Sequence, residues 1–453
     1  MKKELTVLIM VLLMLLTSCE IPGMDTKEHI YDEGRVIREA TCTETGLIEY
    51  KCLDCGKVKK EEIPMKEHDC EIIEVESTCG QVGYFARKCK NCDYFEIFQE
   101  KTPVDHTIRS KVEVPSVDGS VGTKRYYCNQ CGKEFLSFPY VDNGFSRFGK
   151  LHVVGRNLVD ANNNVVQLLG ISTHGLQWFG RYVNYETLYA CKDAFNINVF
   201  RFSLYTAESG YCESGSKRRE ELYQMVASGI RIATELDMYA IVDWHMLGAS
   251  DPNDKNPLYY LDEAKEFFDR ISKEFKDYDN VFYELMNEPN GSTTWSDCKE
   301  FAEAIIPIIR ENDPDAICLV GNPGWSANLT GPTRDPLEFD NIMYTYHFYA
   351  ADNMTIQNVI NGYNAGLPIF ISEHGGMKSS GDGAVNERNI NAWYEALDSR
   401  HISYVAWNLS NSKGSSSILK QNITVMNSFA DGYLKEWGIF YKKHIKQVLG
   451  ITE

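Results

Sequence analysis

The sequence predicts an α/β chain built on a (β/α)8 barrel, preceded by small cysteine-rich, zinc-ribbon-like repeats. Three observations on the 453 residues carry this expectation. Short β-rich runs alternate with amphipathic helical stretches from about residue 146 to the end. Eight such units fit into about 300 residues, a usual size for a closed barrel of this kind. Ahead of them, a C-x-x-C pair recurs three times in phase. Alternation of strand and helix implies parallel strands, because parallel neighbours need crossover connections. An open doubly wound sheet is the competing arrangement, but no Gly-rich phosphate loop follows an early strand, as its nucleotide-binding members require.

Taken in order, residues 1–18 read as an export signal: Lys2 and Lys3 precede an apolar run from Leu5 to Leu16, too short to span a bilayer. The run ends in Leu16-Thr17-Ser18-Cys19, which resembles a bacterial lipobox and marks Cys19 for lipidation. The expectation is an exported chain, anchored at the bacterial cell surface through Cys19, with 19–28 as a linker. Repeats occupy 29–140. Cys42, Cys52 and Cys55 have the spacing of Cys79, Cys89 and Cys92, and a third copy ends in Cys128 and Cys131, with Asp118 at its first position. Gly46, Gly83 and Gly122 fall at matching points, as for a repeated turn needing positive φ. His29, His68 and His106 each precede one copy. Assigning each histidine to the copy that follows gives three candidate metal sets: His29 with Cys42, Cys52 and Cys55; His68 with Cys79, Cys89 and Cys92; His106 with Asp118, Cys128 and Cys131. Zinc suits such thiolate and imidazole donors, and the spacing resembles cysteine-rich repeats of surface proteins of anaerobic bacteria. Disulfides are the alternative, favoured by export but not by three cysteines per copy.

The barrel domain, 146–453, has expected strands at Val166–Gly170, Asn198–Ser203, Tyr239–Trp244, Val281–Met286, Ala316–Val320, Ile342–Tyr346, Pro368–Ser372 and Ser403–Trp407. Helical stretches lie at Lys217–Leu236, Leu261–Phe275 and Trp295–Glu311; in the second, Leu261, Ala264, Phe267, Phe268 and Ile271 recur at helical spacing. The formal net charge of −18 argues against nucleic acid or another polyanion as partner and suits a neutral polymer.

Active sites of such barrels lie at the C-terminal ends of the strands. Those ends carry Arg201, His245, Asn287-Glu288, His347 with Tyr349, Glu373, and Trp407. Two of them are carboxylates. A carboxylate pair supports chemistry in which one group donates a proton while the other stays charged, provided that their environments push the two pKa values apart. Each residue alone has an ordinary structural explanation, since a barrel-end arginine usually pairs and a lone histidine is usually a satisfied hydrogen-bonder.

The stretches Gly170–Trp178, Val199–Tyr205, Val242–Met246, Tyr283–Gly291, Tyr344–Tyr349, Pro368–Glu373 and Val405–Ser410 stand in order. Together they resemble glycoside hydrolase family 5, particularly its bacterial endo-β-1,4-glucanase branch, from Leu151 to the C-terminus. The resemblance implies a retaining, two-glutamate hydrolysis of β-1,4-glucan, with Glu288 as acid/base and Glu373 as nucleophile. Asn287 would meet the sugar 2-hydroxyl. Arg201 and Tyr349 would hold Glu373 charged and aimed, and His245 and His347 would bond the sugar and the acid/base region. Trp407, Trp178, His174 and Trp325 would line the substrate groove. One departure is His374-Gly375-Gly376 after the nucleophile, where the branch commonly has tryptophan and then glycine.

No cofactor is implied for catalysis; zinc, if bound, belongs to the repeats. The same machinery on mannan or mixed-linkage glucan is the alternative within enzymes. A lipid-anchored polysaccharide-binding protein without turnover is the alternative outside them. Oligomeric state is not legible.

Overall fold

The computed structural model describes residues 28–79, 81–101, 104, 106–247, 252–352, 355–423 and 426–451. The expected signal segment and Cys19 lie outside the described residues. The chain divides into two compact units, Met1–Asp105 and His106–Glu453.

The first unit holds two antiparallel three-stranded sheets. One is Arg35–Arg38, Gly46–Lys51 and Val58–Ile63, and the other is Cys70–Val75, Tyr84–Cys89 and Phe95–Glu100. Every copy follows one plan: its first ligand position sits in the turn before the middle strand, and its C-x-x-C in the turn after it. Gly46 and Gly83 do not adopt the positive φ expected of them. An added Cβ would instead stand 2.6 Å from the Ala40 nitrogen and 2.3 Å from the Ser77 nitrogen. Glycine is required there for close backbone approach; positive φ falls on Gly56, directly after a C-x-x-C.

The second unit begins with the third sheet, Ile108–Val114, Gly122–Cys128 and Glu134–Tyr140, where Gly122 is crowded in the same way, 2.5 Å from the Val114 oxygen. This sheet is packed on the barrel. Arg109 donates through both Nη atoms to Glu186, at 2.8 and 2.9 Å, and lies over the rings of Tyr185 and Tyr189. The Tyr189 hydroxyl donates to Ser110 Oγ at 2.8 Å.

Eight parallel strands close the barrel: β1 Leu169–Thr173, β2 Val199–Tyr205, β3 Tyr239–His245, β4 Val281–Glu284, β5 Ile317–Val320, β6 Ile342–Tyr349, β7 Ile369–Gly375 and β8 Tyr404–Leu409, with β8 pairing back onto β1. Helices α1 Tyr185–Phe195, α2 Ser216–Glu235, α3 Leu261–Glu274, α4 Trp295–Asn312, α5 Gln357–Asn364, α6 Glu387–Asp398 and α7 Glu436–Val448 pack outside. Between β5 and β6 the chain makes only the short helices Pro323–Ser326 and Thr330–Arg334. On α3, the apolar stripe Ala264, Phe267, Phe268 and Ile271 is buried, as its spacing predicts.

The first strand starts three residues later than expected. Val166 is used elsewhere: its N–H donates to the Leu158 oxygen at 2.9 Å, extending a hairpin of His152–Val154 and Asn157–Val159. Leu151, Leu158, Val166 and Leu168 form a cluster with the lower interior residues Val199, Tyr239, Ile241, Phe282, Ile317, Met343, Phe370 and Val405, so the barrel floor is apolar and plugged. Side-chain alternation then places Arg201, Asp243 and Glu284 in the layer above. All three are fully buried.

Candidate active site

The charged layer is built around Arg201, which lies inside β2 rather than at its end. The Nε and Nη2 atoms donate to Glu284 at 2.6 and 3.1 Å, Nη2 also to Asn287 Oδ1 at 2.7 Å, and Nη1 to Glu373 at 3.3 Å, while Asp243 forms an ion pair with Nη2 at 3.0 Å. The bidentate grip of Arg201 is therefore on Glu284, and Glu373, which it was expected to hold, receives a single, longer bond. A buried carboxylate without a partner is prohibitively costly, so three acidic groups around one guanidinium must share it. Burial opposes charge on Glu284, but Arg201 and the imidazole of His347, 3.8 Å away, prevail and hold it at about 2.

Glu373 enters this layer through an irregularity. Strand register shifts between Ile371 and His374, and as a result two successive residues, Ser372 and Glu373, both face inward. Such bulges beside active sites re-aim a side chain. His374 consequently points outward. Its Nδ1 donates to the Val405 oxygen at 2.7 Å and the Tyr394 hydroxyl donates to its Nε2 at 2.9 Å, among the rings of Phe348, Trp437 and Tyr441. Burial holds it neutral, down at about 3. The departure from the family pattern thus alters packing behind Glu373 and leaves the acid itself untouched.

The Tyr349 hydroxyl donates to Glu373 Oε1 at 2.7 Å. Burial, followed by the charge of Glu288, raises the pKa of Glu373; His347, Arg201 and His245 pull it back down. Across the site, His347 Nδ1 donates to Glu288 Oε1 at 2.8 Å and its Nε2 to Ser372 Oγ at 2.9 Å, and the Ser372 hydroxyl donates on to Glu284 at 2.7 Å. Burial works against charge on this imidazole, but Glu284, 3.8 Å from Nε2, and the bonded Glu288 raise it to about 9. His245 is the opposite case, pushed by burial and Arg201 down to about 3. It donates from Nδ1 to Asp243 at 2.6 Å and accepts at Nε2 from Asn287 Nδ2 at 3.3 Å. With Oδ1 of Asn287 committed to Arg201, its amide NH2 is also bonded within the protein, to His245 and to the Met246 oxygen at 3.5 Å.

An oxygen of Glu288, an oxygen of Glu373 and a nitrogen of His347 lie within 4.8 Å of one another. They open into a cleft of about 1110 Å³ lined also by His174, Tyr205, Trp325, Tyr349 and Trp407. Trp407 stacks on His245 at 5.3 Å, and its peptide to Asn408 is cis. Burial keeps His174 neutral at about 4. Trp325 is exposed and held by a backbone bond to Pro289 at 3.0 Å. Trp178 stands beside the cleft, edge-on to Tyr205 at 5.1 Å.

Sequence reasoning missed Glu284, Asp243, Ser372 and Tyr205. The first two had a visible signal: a single acid inside an otherwise apolar strand demands a buried partner.

The candidate metal sets are regrouped. Cys42 lies with His68, Cys89 and Cys92; His29 lies with Cys52 and Cys55; and Cys79 is not in the His68 group. His106 meets Cys131 at 3.5 Å, and Asp118 joins none of these clusters. The reason is the middle strand. Six residues at about 3.3 Å each separate its two turns by roughly 20 Å, so both ends of one copy cannot reach one ion.

A parallel barrel whose mouth presents two glutamates at this separation, in an aromatic-lined cleft, defines a glycoside hydrolase. Comparison with known proteins agrees. The family described as "Cellulase (glycosyl hydrolase family 5)" matches residues 159–413. Endoglucanase A of Butyrivibrio fibrisolvens is 39% identical over 305 residues, 66% of this chain and 70% of that protein. An endoglucanase of Clostridium saccharobutylicum is 38% identical over 300 residues, 66% of this chain and 65% of that protein, so the chain spans less than two thirds of the latter. A solved variant of the Thermobifida fusca endoglucanase Cel5A catalytic domain, in complex with cellotetraose, superposes with a TM-score of 0.63 at 31% identity, covering 67% of this chain and all (100%) of that one. The chain belongs to glycosyl hydrolase family 5.

Proposed function

We propose that the protein is a retaining endo-β-1,4-glucanase with Glu373 as nucleophile and Glu288 as acid/base. The carrying observation is that oxygens of the two carboxyl groups lie within 4.8 Å. That separation suits direct attack, for which about 5–5.5 Å between carboxyls is usual, whereas inverting enzymes leave about 6.5–9.5 Å for a water. In the first step a Glu373 oxygen bonds to the anomeric carbon, and the glycosidic electron pair leaves with its oxygen. That oxygen takes the proton held between Glu288 and His347. In the second step Glu288 accepts a proton from water, whose oxygen displaces Glu373. Arg201 and Tyr349 stabilise the Glu373 carboxylate, and the Asn287 amide would donate to the sugar 2-hydroxyl. Trp407, Trp325, His174 and Trp178 would offer rings along the chain of sugars. The two carboxyls supply the chemistry.

Reducing-sugar release from carboxymethylcellulose, mannan and mixed-linkage glucan tests this, with the anomer first formed followed by NMR. Cleavage of the cellulose derivative with retention is expected. Activity on mannan alone would reassign the substrate, and binding without cleavage would reassign the class. We also propose export with a lipid anchor at Cys19. Cys19→Ala should release the protein from membranes, and continued membrane association would overturn the anchor.

A further inference from the structure

The catalytic residues named above all belong to the barrel; the repeats, for their part, bring together donors that no copy possesses alone. Within the first unit, the Sγ atoms of Cys42 and Cys89 are 3.8 Å apart, and His68 Nδ1 is 3.4 Å from Cys92 Sγ. One donor atom from each of the four residues falls within 4.8 Å of the others. A tetrahedral ion with Zn–S near 2.3 Å and Zn–N near 2.0–2.1 Å requires about 3.8 Å between sulfurs and about 3.6 Å between sulfur and nitrogen. The two measured edges are close to those of such a tetrahedron. By contrast, a disulfide needs its sulfurs at about 2.05 Å.

The surroundings hold these donors in place. Thr41, next to Cys42, accepts at its backbone oxygen from the Lys66 N–H at 3.0 Å, which ties the turn of the first copy to the segment carrying His68. The His68 ring stacks on Tyr94 at 4.2 Å, which fixes the direction of Nδ1. The Asn91 N–H donates to Cys89 Sγ at 3.5 Å, and the Cys89 N–H to the Tyr94 oxygen at 2.9 Å, shaping the C-x-x-C turn around a common point.

We propose that Cys42, His68, Cys89 and Cys92 form a structural zinc site in which a turn of the first repeat completes the ligand set of the second. The ion is a cross-brace between consecutive copies. It also accounts for Asp118. Cys42 serves the copy after its own, whereas the third copy, which carries Asp118 at that position, is followed by the barrel.

The full-length chain is purified reduced and reconstituted with Zn2+ or Co2+ alone. To isolate the site, the first copy's own cluster is removed by His29→Ala, Cys52→Ser and Cys55→Ser, and the third copy's donors by His106→Ala, Cys128→Ser and Cys131→Ser. In that background Cys42→Ser is expected to weaken metal binding at this site more than about a hundredfold, beyond the about 10–100-fold that loss of a group merely supporting a ligand costs. Cys42→His, which keeps four donors, should retain the ion while thiolate-to-cobalt absorption at this site falls by about one third, from three thiolates to two. Hydrolysis by each variant reports that the barrel is folded. Metal content and cobalt spectra indifferent to Cys42 would overturn the proposal, as would a Cys42–Cys89 disulfide in non-reducing peptide maps.

Discussion

At the scale of single residues, the site is governed by how few positive charges face how many acids. Arg201 is the only cation among Asp243, Glu284 and Glu373 that carries its charge at every pH of interest. Its removal leaves buried carboxylates uncompensated, so Arg201→Ala should cost about 3–5 kcal/mol of stability in urea unfolding. Arg201→Lys keeps the charge but loses the fork, and should recover stability better than activity. Glu288→Gln should lower kcat by about 10²–10⁴, the usual worth of general acid–base catalysis, and lower it least on substrates whose leaving group needs no proton. Glu373→Gln should abolish turnover with either kind of substrate. The pH profile of kcat/KM should be bell-shaped. Activity is lost on the acid side as Glu373, raised by burial and by the charge of Glu288, gains a proton. It is lost on the alkaline side as His347, raised to about 9 by its acidic neighbours, gives up its proton. His347→Gln should move that alkaline limb downward. An unchanged limb would show that His347 does not hold the proton.

At the scale of elements, β7 separates two neighbouring residues into different chemistries. Glu373 faces the cleft, and His374 faces helices α6 and α7 as a neutral, doubly bonded ring. A histidine held at about 3 in the folded state and near 6.5 unfolded favours folding above pH 6.5. That contribution is lost progressively as pH falls from 6.5 towards about 3. His374→Phe should therefore flatten the acid side of a melting-temperature profile, while lowering stability at neutral pH by orphaning the Tyr394 hydroxyl and the Val405 oxygen. The eight strands were legible because each is an apolar run bounded by helical periodicity, and seven motifs located their upper ends. The bulge was not legible, because Pro368–Glu373 reads equally well as a regular strand. Nor was the depth of Arg201, since alternation shows which way a side chain faces and not how far below the rim it sits. The ligand grouping was misread because sequence proximity stood in for spatial proximity. A six-residue strand between Cys42 and Cys52 was enough to part them.

At the scale of the whole molecule, the proposed hydrolysis and the proposed zinc site rest on different residues. A chelator should increase hydrogen exchange across residues 28–101 while leaving the rate of glucan cleavage nearly unchanged, and loss of cleavage would show that the repeats support the barrel. The third sheet has a different relationship to the enzyme. Through Arg109 it clasps Glu186, roofs Tyr185 and Tyr189, and meets Tyr189 again through Ser110. A truncation begun at residue 146, where the barrel's own pattern starts, would unroof two tyrosines and strand a carboxylate on α1. Such a fragment should melt earlier and self-associate more readily than one begun at residue 106. The workable place to cut the gene lies one repeat upstream of the barrel.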